Sequence, residues 1–409
     1  MGDRKKDRVA GVSSSDETAR SGVNTGWEIP DEKRAWYRQI AKEAHTAKRQ
    51  GRAEPCHSPA HEINIPSLQA ESLMPPLPPS HLNCLSLFSG GGGLDIGFER
   101  AGVGHVACYE ILPRVAESLA MNRPTWTVHG GASGYVTRQD WSQHRGVDVM
   151  FGGPPCQPYS QAGQQNGKGD TRDMVPAFVR AIMAASPAAF VLENVPALLH
   201  DKFKVHLTTE LVRPLSSAYH LHVFPLEAGW FGVPQSRRRA FVVGFKSHAH
   251  SLRFTAPPPT HRLPGANPVE ASLSQLNDLA SALPVCMGAR QALGLPDLGF
   301  DGLAPTLRSG LAGPRFTTSM VSGQASLKKW TELQIWPNGV SRSREDAQLF
   351  PAKNGHFRLS VPDCAVLQGF PVEWRFPVQA YLALGIVGNS VCPPVAYHLA
   401  RAIRFALGS

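Results

Sequence analysis

Short apolar runs alternate with longer stretches of helical periodicity through the middle of the chain. Leu82-Asn83-Cys84-Leu85-Ser86-Leu87-Phe88, His105-Val106-Ala107-Cys108-Tyr109, Val147-Asp148-Val149-Met150-Phe151 and residues 189–192 have the length and boundaries of buried strands. Residues 94–101 (closed by Gly102), 113–122, 173–185 and 204–215 carry apolar side chains at helical spacing. Two more strands follow at 221–226 and 239–245. Strands that alternate with helices predict an α/β fold built on a doubly wound, mostly parallel sheet. Beyond Phe245 the pattern dissolves for about 110 residues rich in Pro, Gly and Ser, too long for an ordinary loop, so a second, smaller domain is expected at 246–357. Order returns in a C-terminal part, 358–409, with helices at 361–367 and 395–407 around a Gly369-Phe370-Pro371 turn.

The N-terminal 80 residues lack that alternation. They are rich in Ser, Gly and Pro and end in Pro75-Pro76-Leu77-Pro78-Pro79, which reads as a flexible extension with one possible helix at 31–52 carrying Trp36, Ile40 and Ala44. Their 12 basic and 11 acidic residues nearly cancel, so +8 of the net charge of +9 belongs to the folded part and points to a polyanionic partner. The seven cysteines are scattered and form no C-x-x-C pair, which argues against a disulfide framework or a zinc site; no metal is expected. No apolar run reaches 18 residues, and the chain opens Gly2-Asp3-Arg4-Lys5-Lys6-Asp7-Arg8. A soluble intracellular protein that spans no membrane is the expectation.

Candidate chemistry gathers where strands should end. Gly152-Gly153-Pro154-Pro155-Cys156-Gln157-Pro158-Tyr159-Ser160 follows the strand at 147–151, on the edge where open α/β sheets bind ligands. Its glycines permit close backbone approach and its prolines stiffen the loop, which suits a fixed nucleophile, although an isolated Cys is more often inert packing. Ser89-Gly90-Gly91-Gly92-Gly93 links a strand to a helix and can cradle a nucleotide-type group or simply make a tight turn. The dinucleotide fingerprint G-x-G-x-x-G fails in every register. Glu110 ends the next strand, where an acid can accept hydrogen bonds from ribose hydroxyls.

Taken together these motifs resemble the DNA (cytosine-5) methyltransferases over residues 82–407. Phe88 to Gly93 is similar to the family's F-x-G-x-G-G turn, and Gly153-Pro154-Pro155-Cys156-Gln157 to its catalytic loop. Asp170-Thr171-Arg172, Glu193-Asn194-Val195, Gln235-Ser236-Arg237-Arg238-Arg239, Arg358-Leu359-Ser360, Gln368-Gly369-Phe370-Pro371 and Gly388-Asn389-Ser390-Val391 follow in family order. The resemblance implies an S-adenosylmethionine-dependent catalytic domain in 81–245, completed by 358–409, and a target-recognition domain in 246–357. It further implies S-adenosylmethionine bound by Phe88, Gly90, Gly92, Gly93, Glu110, Pro155, Asn389, Ser390 and Val391, with Cys156, Glu193, Arg237 and Arg239 as the catalytic set. The implied partner is double-stranded DNA, acted on by a monomer in the bacterial cytoplasm, in restriction-modification alongside a cognate endonuclease.

The chemistry accounts for this combination of residue types. Cytosine carbon-5 is a poor nucleophile until a thiolate adds to carbon-6, the role of Cys156. Negative charge then builds towards ring nitrogen-3, where Glu193 can hydrogen-bond or donate a proton if a closed site raises its pKa. Arg239, with Arg237 on the same strand face, can bind the exocyclic oxygen and steady that carboxylate. No residue is marked as the base that removes the carbon-5 proton. Taken singly, Glu193 also reads as a strand-end solvent residue, the Arg run as a solvated patch, and Asn389 as a turn residue. Gly131 stands where the family places an adenine-binding Asp, which leaves adenine recognition weaker or rerouted. Sequence choice is expected between residues 246 and 356, where Trp330, Trp336, Arg308 and Arg315 lie. A transfer-RNA methyltransferase and a catalytically silent DNA-binding relative are the alternatives.

Overall fold

The computed structural model describes residues 63–155, 173–265, 282–308, 318–349 and 355–409, and the single positions Ala35, Gln39, Lys42, Thr46 and Arg49. Those five are helical and exposed, spaced three and four apart as one solvent-facing stripe within 31–52.

Seven strands form the main sheet: β1 Asn83–Leu87, β2 Gly104–Glu110, β3 Val128–Gly130, β4 Val149–Gly152, β5 Ala189–Asn194, β6 His220–Glu227 and β7 Arg238–Phe245. Their order is β3-β2-β1-β4-β5-β7-β6, and every pairing is parallel except those of β7, which runs antiparallel to β5 and β6. Side chains alternate between two buried faces, which is why these strands read as nearly continuous apolar runs. Val149, Phe151 and Val191 pack in one cluster with helices α1 (Gly93–Arg100) and α8 (Pro393–Leu407). Met150, Phe190 and Leu192 pack in the other with α3 (Val175–Ala185), while α2 (Pro113–Asn122) spans β2 to β3. The α1–α8 contact is closest at Gly97, where an added Cβ would collide with Ala396 and the Tyr397 backbone.

A smaller body follows. It holds α5 (Gln324–Glu332), the parallel pair β8 (Ile335–Ser341) and β9 (Phe357–Ser360), and a core around the fully buried Trp330. Helices α6 (Val361–Gln368) and α7 (Ala380–Asn389) share that core through Val361, Leu367, Ala383 and Ile386. Ser360 and Asp363 form a reciprocal capping box at the start of α6.

Four expectations change. Residues 63–80 are docked, not linker-like: the Ser67 and Leu68 amides donate to Ala292 O, Asn64 Nδ2 donates to Leu293 O and Asp363 Oδ1, and Leu77 N donates to Arg100 O. Arg404 and Tyr397 donate to the carbonyls of Pro78 and Pro75, so the prolines shape an ordered strap and Met74 is fully buried. The helix at 204–215 is three pieces, with a π-helical turn at Leu207–Val212 between Lys204–His206 and Arg213–Ser216. Residues 246–254 continue the main body, because α4 (His248–Arg253) lies on β6 and β7 and Phe254 packs on Phe245 and Phe224. The boundary expected between residues 357 and 358 runs through β9, whose register partner for Phe357 is Ile335 of the smaller body.

If the strap is part of the fold, Met74→Ala should lower unfolding free energy by about 2–5 kcal/mol, the range for truncating a buried methionine. Urea denaturation reads this directly. A loss within experimental error would return residues 63–80 to the status of a tether.

Candidate active site

A cavity of about 410 Å³ opens where β1, β2, β4 and β5 end. It lies where β1 is flanked by β2 on one side and β4 on the other, the switch point at which α/β sheets bind ligands. Its wall includes Phe88, Gly90, Gly93, Glu110, Pro155, Glu193, Arg237, Arg239 and Asn389 to Val391. Residues predicted from six separate stretches of sequence thus meet at one place. Gly92 does not border it: with φ +78 it faces Leu119 and Trp374 and supports the turn from behind. Cys156 follows Pro155 in the chain and lies outside the described residues, as do Asp170, Thr171, Arg172 and Arg315.

The turn after β1 is held by its neighbours. Phe88 adopts φ 53, a left-handed conformation uncommon for a residue with a side chain. Gly90 N donates to Glu110 Oε2 at 2.9 Å and Leu112 N to Glu110 Oε1 at 2.8 Å, so one carboxylate ties the turn to the start of α2. Burial raises the Glu110 pKa, and the backbone N–H groups counter it. Gly93 is a glycine because an added Cβ would fall inside contact distance of Val391 O. Gly131, at φ +60, lies away from the cavity, and Gly134 to Thr137 border it instead; their 3-10 turns carried no motif that could have marked them.

On the opposite wall, Glu193 is 7% exposed and pairs with Arg239 Nε at 3.2 Å. Burial raises its pKa despite the opposing pull of Arg239 and Arg237, which keeps the proton on the carboxyl to higher pH. Asn194 Nδ2 donates to Pro154 O at 3.1 Å, fixing the entry to the Pro-Pro segment from β5.

Arg237 does something other than steady the carboxylate. It is buried, and its guanidinium donates to Gly388 O at 2.8 Å, Ser390 O at 2.9 Å and Leu307 O at 3.5 Å. Burial, with Arg239 adjacent, pulls its pKa down to about 9. Gln235 and Gln368 complete the same network: Gln235 donates to Gln368 Oε1 and Leu367 O and accepts from Leu307 N, while Gln368 donates to Ser390 O. Both glutamines stand in motifs visible in the sequence, yet nothing there showed that they touch. Arg308 is also engaged, donating to Val321 O, and Trp330 is core.

A glycine turn after β1, an acid ending β2, an antiparallel β7 and a cavity over the switch point define an α/β methyltransferase. The profile of the C-5 cytosine-specific DNA methylase family matches residues 82–289 and 310–404, and the chain belongs to that family. It is 31% identical to the type II methyltransferase M.NgoMIV of Neisseria gonorrhoeae over 328 residues, covering 79% of this chain and 97% of that protein. It is 30% identical to M.NlaX of Neisseria lactamica over 332 residues, covering 80% and 97%. An E. coli prophage protein described as a DNA modification methyltransferase shares the fold, with a TM-score of 0.52 and 20% identity over 80% of this chain and 100% of that one. The chain is a DNA (cytosine-5) methyltransferase and uses a methyl donor.

Replacing Arg237 by Met removes a donor from three buried carbonyls, of which Ser390 O keeps Gln368. The expected cost is about 3 kcal/mol, since hydrogen bonds to charged groups contribute roughly 1.5–3 kcal/mol each and not all are lost in full. Arg237→Lys, lacking the fork, should recover only part. Unfolding curves matching wild type for both variants would show that the network is dispensable.

Proposed function

We propose that this enzyme methylates carbon-5 of a cytosine flipped out of a specific duplex DNA sequence, with S-adenosylmethionine as donor and Cys156 as nucleophile. The observation that carries the reading is the Glu193–Arg239 pair, a buried carboxyl of raised pKa on the wall of the same cavity as the glycine turn and Pro155. S-adenosylmethionine supplies an electrophilic methyl group when bound. Phe88, Gly90, Gly93, Glu110, Pro155 and Asn389 to Val391 would hold it, with Gly92 behind. The fit is chemical as well as spatial: a carboxylate has about four acceptor positions, so Glu110 can serve two backbone amides and still accept from a ribose.

The chain's own groups then divide the work. The Cys156 thiolate adds to carbon-6, and Glu193 donates to ring nitrogen-3 as charge builds there. Arg239 holds Glu193 in register and reaches for the exocyclic oxygen. Arg237 acts from behind, by fixing Gly388 and Ser390. The cytosine must leave the stack, because carbon-6 is shielded within a duplex. The smaller body, which follows residue 254, would choose the sequence. Its relatives are named type II methyltransferases, which supports a restriction-modification role in the bacterial cytoplasm, as a monomer with a cognate endonuclease in the same cell.

DNA carrying 5-fluorocytosine at the target site should trap wild-type enzyme as an adduct stable to denaturing gels, because the atom to be eliminated is no longer a proton. Cys156→Ser should bind the DNA and form none. An adduct with the serine variant would assign the nucleophile elsewhere.

Glu193→Gln should slow methylation by roughly 10²–10⁴-fold, the usual contribution of a positioned acid. The neutral form of Glu193 exists below its raised pKa, so wild-type activity should fall as pH rises through that value. Gln does not titrate, and its profile should lose that alkaline limb. A variant that keeps the wild-type limb would assign the limb to another group.

A further inference from the structure

Behind the cavity wall, three chemistry-bearing side chains that the sequence scatters converge on one buried point, and a buried thiol from the neighbouring strand lies beside them. Cys84 comes from β1, Asp95 from α1, and His105 and Cys108 from β2. His105 Nε2 lies 3.2 Å from Asp95 Oδ1, Cys108 Sγ lies 3.3 Å from the same oxygen, and Cys84 is the register partner of His105 on β1. The donor atoms of Asp95, His105 and Cys108 all lie within 4.8 Å of one another.

Backbone geometry builds this cluster. Side chains alternate along a strand, so positions 105 and 108 belong on opposite faces of a regular β2. The register slips between Cys84↔His105 and Leu85↔Ala107, leaving Val106 unmatched, and this bulge turns both His105 and Cys108 towards Asp95. The His105 ring is clamped by stacking on Trp126, with ring centroids 4.2 Å apart. Asp95 is fully buried, and its second oxygen, Oδ2, has no hydrogen-bond partner among the described residues. An unpaired carboxylate oxygen in a dry interior is costly, and it is a ligand position in waiting.

We propose that Cys84, Asp95, His105 and Cys108 form a closed, structural site for one zinc ion. Two sulfurs, one imidazole and one carboxylate are a donor set that zinc accepts in tetrahedral geometry, with bonds of about 2.0–2.3 Å that imply donor–donor edges of about 3.3–3.8 Å. The spacings of 3.2 and 3.3 Å already lie beside that range. Zinc entry displaces two protons to solvent, one from the Cys84–His105 pair and one from Cys108, and leaves two thiolates, a neutral imidazole and a carboxylate around the ion. The ion would pin α1, which carries Gly93 and Asp95 on the cavity wall, to β1 and β2.

The test uses the full chain, stripped of metal and then given equimolar zinc. Elemental analysis after dialysis should find one zinc per chain in wild type and in the Cys156→Ser and Cys392→Ser controls, and none in Cys108→Ser or Asp95→Ala. Cobalt in place of zinc should give a thiolate-to-metal charge-transfer band that disappears with Cys108→Ser. Should those variants fail to fold, wild type alone decides, because zinc bound to the native state must raise the melting temperature and a chelator must lower it again. Wild type that retains no zinc and melts alike with and without it overturns the site, as does full zinc retention by a folded Cys108→Ser.

Discussion

One buried cation organises this enzyme's interior. The Arg237 guanidinium sits between the turn that follows α7 and the chain at Leu307, and it binds carbonyls of both. A fully buried charge is tolerated only when oxygen surrounds it. Gly388, Ser390 and Leu307 must therefore stay where they are for the fold to persist, and Gln235 and Gln368 occupy the remaining polar positions around the same carbonyls. Ser390 and Val391 in turn press against Gly91 and Gly93. The wall of the cavity is thereby set by a polar network whose members come from the segment that enters β7, the chain at Leu307 and the C-terminal helices.

That arrangement places two arginines two residues apart in opposite service. Arg237 points inward to carbonyls; Arg239 stays partly open to the cavity and pairs with Glu193. Glu193 shows why the balance is delicate. Burial drives its proton on, and Arg239 drives it off. With burial the larger influence, the carboxyl is biased towards donation without losing the ion pair that orients it. Asn194, next along β5, anchors Pro154, so the acid and the Pro-Pro segment are registered by adjacent residues of one strand. Such coupling suits chemistry in which nucleophile and acid must address neighbouring atoms of one ring.

Much of this was legible in the sequence because it follows from local rules. Short, nearly continuous apolar runs marked the strands, and short motifs at strand ends marked Gly90, Glu110, Glu193 and Asn389. What the sequence hid depends on contacts between distant segments. The proline-rich strap looks like a linker because proline and small polar residues carry no periodicity, yet Arg100, Tyr397 and Arg404 hold its carbonyls. Arg237 looks like a partner for Glu193 because both lie on neighbouring strands, and only the approach of Gly388 and Ser390 diverts it. The Cys84–His105–Cys108 grouping was invisible for the same reason: a bulge at Val106 breaks the alternation that any strand reading assumes.

The smaller body is not a detachable module. Its core mixes Trp330, Ile335 and Val340 with Val361, Leu367, Ala383 and Ile386 from the helices that deliver Asn389 to the cavity. Its strand pair is completed by β9, which leads directly into α6. Asn64 of the strap joins Leu293 to Asp363 across the same boundary, and Arg344 also pairs with Asp363 at 2.9 Å. A cut at residue 357 would strand β9 from its partner and open a shared core, at a cost set by each large side chain uncovered. The smaller body and the cavity wall are therefore mechanically joined: whatever shifts Leu307 acts on Arg237, and through it on the turn that lines the cavity.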